Sequence, residues 1–176
     1  MIQVGIFVNL PFQNTSIMIK TTRHHIPLWQ FELLKEEKQI LHYVTSRHGG
    51  VSEGIYATFN QSYTAGDRKE HVLENRRRLA QELEITSGMM LFPGQTHTAN
   101  ARVISSYEDL KARITETDAL VTALPEICLS VLTADCVPLL LYDPVNKIAA
   151  AVHSGWRGTV QSIALETVDV MKEHFG

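Results

Sequence analysis

The spacing of apolar side chains divides the chain into short apolar runs and a few stretches of helical periodicity. Residues 1–20 read as a strand or an extension, and 28–40 (LWQFELLKEEKQI) carry a short helical pattern just after Pro27. Strand signal runs over 41–46 and ends in a turn at Gly49-Gly50. Val72, Leu79, Ala80 and Leu83 recur at helical spacing, which predicts a helix over 69–83 with Asp67 as its N-cap. Residues 89–92 predict a short buried strand ended by Pro93-Gly94. Further strands are expected at 102–104 and 119–122, with a turn or short helix at 107–113 between them. The runs 127–132, 137–142 and 148–152 are continuously apolar, as strands covered on both faces are. The last element predicted is a long amphipathic helix over 159–175, with Gly176 as its stop.

Strands and helices mixed without regular alternation point to an α+β or layered α/β arrangement. With 44% of 176 residues hydrophobic, the chain can bury a real core, so disorder is excluded as the default. There is no internal repeat, low-complexity tract or linker, and a single domain is expected. Its first 40 residues are expected to form an N-terminal extension with a strand and a short helix, and 41–176 the main body of the domain.

Charge narrows the partners. The formal net charge is −3 and the basic residues are dispersed, which argues against nucleic acid. Arg76, Arg77 and Arg78 form the one basic run; flanked by Glu74 and Glu82, it reads as a solvated helix face. No apolar run is long enough to span a membrane, and no basic n-region precedes the first apolar stretch. Only Cys128 and Cys136 are present, too few for a disulfide scaffold, so both are expected unbridged in a reducing, cytoplasmic setting.

Three segments carry candidate chemistry: Phe92-Pro93-Gly94-Gln95-Thr96-His97, Leu132-Thr133-Ala134-Asp135-Cys136-Val137-Pro138, and Ala151-Val152-His153-Ser154-Gly155-Trp156-Arg157-Gly158. Each sets a metal ligand or nucleophile at the edge of an apolar strand, among small or turn-forming residues. Two imidazoles and a thiolate from His97, His153 and Cys136 suit zinc, and three protein ligands leave a fourth position open for water or substrate. The same atoms suit copper. Taken singly, Cys136 also reads as a small buried hydrophobe and His97 as a surface histidine, and only a tertiary fold would unite ligands so far apart in sequence. Gly155 and Gly158 bracket Trp156-Arg157 before a helix, which suits an anion and equally suits a tight packed turn. Arg47 with Gly49-Gly50 offers a second such element or a plain hairpin turn. Asn60, Asn75 and Asp118 default to capping or turn roles. Signatures of nucleotide-fold enzymes and serine hydrolases are absent, while a thiol hydrolase with His97 or His153 as base to Cys136 stays open.

Taken together and in order, RHGGVS (47–52), Tyr56 through Asn60, Glu74-Asn75-Arg76, Gln95-Thr96-His97, Thr117-Asp118-Ala119-Leu120-Val121-Thr122, Thr133-Ala134-Asp135-Cys136 and His153-Ser154-Gly155-Trp156-Arg157-Gly158 are similar to the YfiH family over roughly 41–175. That family is also labelled multicopper polyphenol oxidoreductase or laccase-like, and is described as purine nucleoside phosphorylases. The resemblance implies a layered α/β/β/α sandwich of the cytotoxic necrotising factor type, with a zinc site at the positions of His97, Cys136 and His153. It also implies phosphorolysis of adenosine, inosine, guanosine and methylthioadenosine, with adenosine deamination alongside. Charge and context assign phosphate to Arg47, Arg157 or both, and Asn60 and Gln95 complete the expected substrate-binding set. Ser154 and Thr96 stand where alanine and valine are more usual. Family members continue past the helix that ends here, so the sandwich is expected to be incomplete at its C-terminus, with exposed apolar surface favouring a homo-oligomer. Alternatives within this resemblance are an amidase that edits peptidoglycan precursors, a copper-dependent phenol oxidase and an inactive metal-binding fragment.

Overall fold

The computed structural model describes residues 2–8, 18–22 and 25–176; the rest of the expected N-terminal strand or extension lies outside the described residues. Among the described residues ten strands form two sheets. The first has the order β2 (Met18–Thr22), β3 (Pro27–Phe31), β4 (Ile40–Thr45), β1 (Ile2–Val8), β8 (Cys128–Thr133), β5 (Met90–Leu91). The second runs β6 (Ala101–Ile104), β7 (Ala119–Thr122), β10 (Ile148–Ser154), β9 (Val137–Asp143). Strand β1 pairs in parallel with both β4 and β8, so the N-terminal segment supplies an interior strand of the first sheet.

Alternation along the strands sorts side chains into layers. Between the sheets, Ile40, Val44, Leu129 and Val131 of the first meet Leu120, Ala149 and Ala151 of the second. On the other face of the first sheet, Tyr43 and Cys128 pack with Leu79, Ala80 and Leu83 of helix α2 (Lys69–Leu83). On the outer face of the second, Val121, Ile148 and Ala150 meet Met171 of helix α4 (Ile163–Phe175). The order is therefore helix, sheet, sheet, helix: an α+β sandwich. Leu129 is fully buried in the central layer, where truncation to alanine costs about 2–5 kcal/mol. No helix among the described residues is long and apolar enough to cross a membrane.

Four local expectations are corrected. Residues 28–40 do not form one helix: β3 pairs with β2 and β4, and only Glu32–Lys35 makes a single turn, α1. Cross-strand pairing outweighs the local helical pattern there. The helix expected over 159–175 is two, α3 (Trp156–Val160) and α4, broken at Ser162, whose φ is 62°. Each half is docked separately. Helix α4 buries Ile163, Thr167 and Met171, whereas α3 buries Gly158, where a Cβ would lie 2.8 Å from the Thr98 carbonyl oxygen. Asp67 does not cap α2, whose N-cap is Arg68 with no side-chain hydrogen bond; its Oδ2 instead accepts from Ser52 Oγ at 2.6 Å and Asn60 Nδ2 at 3.1 Å. Finally, β8 and β10 are covered on both faces as their apolar runs imply, but β9 is an edge strand of half-buried positions beginning with the exposed Val137.

Candidate metal centre and cleft

The site lies where the two sheets exchange chain. Strand β8 ends in the first sheet and β9 begins in the second, so the intervening 134–136 crosses between layers and carries Cys136. His153 is the penultimate residue of β10, in the middle of the second sheet, and is 3% exposed. His97 comes from the connection between β5 and β6 and is exposed. One potential ligand atom from each of His97, Cys136 and His153 lies within 4.8 Å of the others. The two imidazoles meet edge to face with centroids 4.9 Å apart.

Asp118, just before β7, orders both histidines. Its Oδ1 receives His153 Nδ1 at 2.7 Å and the His97 backbone N–H at 3.0 Å. Its Oδ2 receives the N–H groups of Thr96 (3.2 Å) and Thr98 (2.8 Å) and the Thr98 hydroxyl (2.9 Å). The Asp118 carbonyl also accepts the His153 N–H at 2.7 Å. Converging N–H groups at 96–98 require the turn that His97 makes at φ 61°. Burial alone would raise the carboxyl's pKa, but the bonds from His153, Thr98 and Thr96 overcome it and hold it at about 2. An ionised Asp118 assigns the Nδ1 proton to His153 and leaves Nε2 as that ring's ligand atom.

The donor set fits a metal ion of zinc or copper type, soft enough for a thiolate and compatible with imidazole. The cradle is shaped for it. A Cβ on Gly155 would stand 2.5 Å from His97 Nδ1 and 3.3 Å from Cys136 Sγ, so only glycine leaves the space between the ligands clear. Burial, then the negative charges of Asp135 and Asp118, push the Cys136 thiol up from its ordinary pKa. Without a cation it therefore stays a thiol at neutral pH, the reverse of what a cysteine nucleophile needs. Cys128 is fully buried in β8 with its thiol pushed up to about 11, which suits a packing role.

The trio opens onto a cleft of about 740 Å³ whose lining also includes Asn60, Gln95, Arg76, Arg113 and Phe92. Gln95 donates from Nε2 to the Leu132 carbonyl and accepts the Leu132 N–H at its Oε1, both at 2.8 Å, bracing the end of β8 before Cys136. Asn60 faces the cleft with its amide committed to the Ser62 backbone and Asp67. Arg47 and Arg157 are not among the lining residues. The Arg47 Nε donates to the Ala57 carbonyl at 2.7 Å, and Arg157 lies over its neighbour Trp156 on α3. Arg76, read from sequence as part of a solvated face, lines the cleft instead, while Arg77 and Arg78 are paired to Glu74. Its position four residues after buried Val72 and three before buried Leu79 was the available signal. Asn75, expected to cap or turn, is a buried hub that bonds Val51, Ser52, Thr58 and Asn60.

Residues 41–176 match the family described as Multi-copper polyphenol oxidoreductase laccase. A purine nucleoside phosphorylase of Bacteroides thetaiotaomicron is 39% identical over 152 residues, covering 83% of this chain and 56% of that protein. Another, of Deinococcus radiodurans, is 41% identical over 130 residues, covering 74% and 49%. Among solved structures, the hypothetical protein YfiH of Bacillus licheniformis is similar with a TM-score of 0.78 at 28% identity, covering 87% of this chain and 58% of that one. YlmD of Geobacillus stearothermophilus has a TM-score of 0.69 at 31% identity, covering 74% and 51%. The chain thus spans about half the length of the curated relatives it matches. By matched span, identity and shared sandwich, it belongs to the multi-copper polyphenol oxidoreductase laccase family, in which its relatives are named purine nucleoside phosphorylases.

Proposed function

We propose that this chain carries the zinc centre of a purine nucleoside phosphorylase, cleaving adenosine, inosine, guanosine and methylthioadenosine with phosphate and deaminating adenosine at the same cleft, in the cytoplasm. The observation that carries the reading is the convergence of His97, Cys136 and His153 in the lining of the cleft, with Asp118 orienting both histidines. The names of the relatives supply the substrate class. When bound, the metal would supply Lewis-acid chemistry in that cleft. The chain's own residues do the rest: Asp118 retains the Nδ1 proton of His153, Gly155 keeps the space between ligands clear, and Gln95 fixes the strand end leading to Cys136. The cleft has the volume of a small-molecule site and suits a nucleoside.

A phenol oxidase of the laccase kind needs several coppers. Among the described residues only one group of three or more His, Cys, Asp or Glu side chains is arranged to hold a metal, which favours the phosphorylase reading. The test is base release from inosine and adenosine with and without phosphate, on the parent and on Cys136→Ala. Release that needs phosphate and is lost in the variant supports the reading; a parent that oxidises phenols and leaves nucleosides intact refutes it.

A further inference from the structure

Arg76 is the cation in the cleft that its structural role leaves unfinished. It projects from α2 into the lining. Nε and one Nη2 proton donate to the Gln61 carbonyl at 3.1 and 2.7 Å. A guanidinium carries five N–H donors, and those on Nη1 and the second on Nη2 have no partner among the described residues. No carboxylate pairs with it there either, unlike Arg77 and Arg78 in the same run. Its Cζ lies over the Phe92 ring at 3.8 Å and the Tyr63 ring at 4.5 Å from the centroids. Burial pulls its pKa down to about 10, with Tyr63 opposing, and it stays charged at neutral pH. A half-buried cation without a counter-ion is costly unless an anion completes it. The aromatic rings hold the guanidinium in place and the two Gln61 bonds fix its rotation, so the free edge is pre-oriented. Arg113 lines the same cleft, and the one carboxylate in the lining is Asp135, beside Cys136.

Resting on the phosphorylase reading, we propose that Arg76 is the phosphate-binding residue of this cleft, its free N–H edge gripping the inorganic phosphate co-substrate with help from Arg113. A purely structural role, stapling the 61–63 loop to α2 through Gln61, would consume the two bonds already made and would leave the remaining donors without purpose. Arg76 and the aromatic residues that hold it line the same open cleft as the histidine–cysteine centre, where an oxyanion and a nucleoside can meet.

The test is calorimetric titration of inorganic phosphate into the full chain and into Arg76→Gln, Arg76→Lys and Arg77→Gln, with melting temperature as the fold check. Phosphate should bind the parent and Arg77→Gln alike. It should bind Arg76→Gln about tenfold or more weakly, as loss of a charge-assisted fork predicts. Arg76→Lys keeps the charge and a donor for Gln61, so it should melt close to the parent yet still lose affinity, because an ammonium cannot make the fork. In turnover assays the same variant should raise KM for phosphate and leave KM for nucleoside unchanged. A parent that does not bind phosphate, or a folded Arg76→Lys with unchanged affinity and KM, overturns the assignment. Phosphate binding lost with Arg76 in a protein that releases no base would sustain the subsite and refute the phosphorylase reading. Phosphorolysis with an unaffected phosphate KM would do the opposite.

Discussion

Gly155→Ala isolates the metal cradle from the rest of the fold. Gly155 has φ −72° and ψ 167°, an ordinary extended conformation, so alanine meets no backbone strain there. The new methyl would sit 2.5 Å from His97 Nδ1 and 3.3 Å from Cys136 Sγ. Relieving the first contact requires the imidazole to retreat by roughly 1 Å, given that carbon contacts are optimal near 3.5 Å. Metal–ligand distances tolerate only about 0.2 Å, so His97 cannot keep its bond. Its ring is exposed and can swing outward, which keeps the folding cost near the low end of overpacking, about 1 kcal/mol. Metal affinity should fall by at least the 10–100-fold typical of a disturbed supporting shell. Competition against a chromophoric zinc chelator measures the affinity, and thermal melting of the metal-free protein measures the folding cost. A Gly155→Ala protein that holds zinc as tightly as the parent would refute the placement of the ion between these three residues.

Gly158→Ala should show the opposite pattern, because its Cβ would meet the immovable Thr98 carbonyl oxygen at 2.8 Å: a loss of about 1–3 kcal/mol in stability, read by denaturant melts. Asp118→Asn should weaken metal binding about 10–100-fold, since a neutral amide no longer enforces the Nδ1 proton of His153, and chelator competition should register it. Asp118 and Glu74 are each held at about 2, below their ordinary values. Hydrogen bonds from Arg77 and Arg78 depress Glu74, and those at Asp118 overcome its burial. Both therefore contribute stability that is complete above about pH 5 and is lost as pH falls through about 4 towards 2. For buried Asp118 this is on the order of 2 kcal/mol; exposure screens Glu74 to about 1 kcal/mol or less. Acid unfolding of the metal-free protein should steepen over that window, and Asp118→Asn should flatten it.

Much of this arrangement was legible in the sequence, and the failures have physical causes. Strands β7, β8 and β10 stood out because burial on both faces selects apolar side chains on both, the polar exceptions being small or terminal: Ser130 inside β8, Thr122 and Thr133 at the ends of β7 and β8, and His153-Ser154 at the end of β10. The 28–40 segment misled because Leu28, Phe31 and Leu34 are spaced as on a helix, yet Leu28 and Trp29 are recruited by β4 and residues 18–22 by β3. Local periodicity cannot register a partner strand. The break at Ser162 was hidden for a similar reason: α3 is aimed by the contact of Gly158 with the 98 carbonyl, a tertiary constraint. At the site, the residue types of His97, Cys136 and His153 announced metal chemistry, but their convergence depends on the chain passing between sheets at 134–136. Asp118 read as a turn residue and does bind a turn; nothing in its neighbourhood marked the additional bond to His153. Arg76 was concealed by Arg77 and Arg78, although the spacing from Val72 and Leu79 put it on the inward side of α2.

The central claim is that one metal ion is held by His97, Cys136 and His153. The most direct test is the metal content of the purified chain, with X-ray absorption at the metal edge, for the parent and Cys136→Ala. The account predicts about one zinc per chain, with one sulfur near 2.3 Å and nitrogens near 2.0–2.1 Å, and no bound metal in the variant. A parent whose metal shows no sulfur ligand, or a Cys136→Ala protein that retains it in full, would contradict the account.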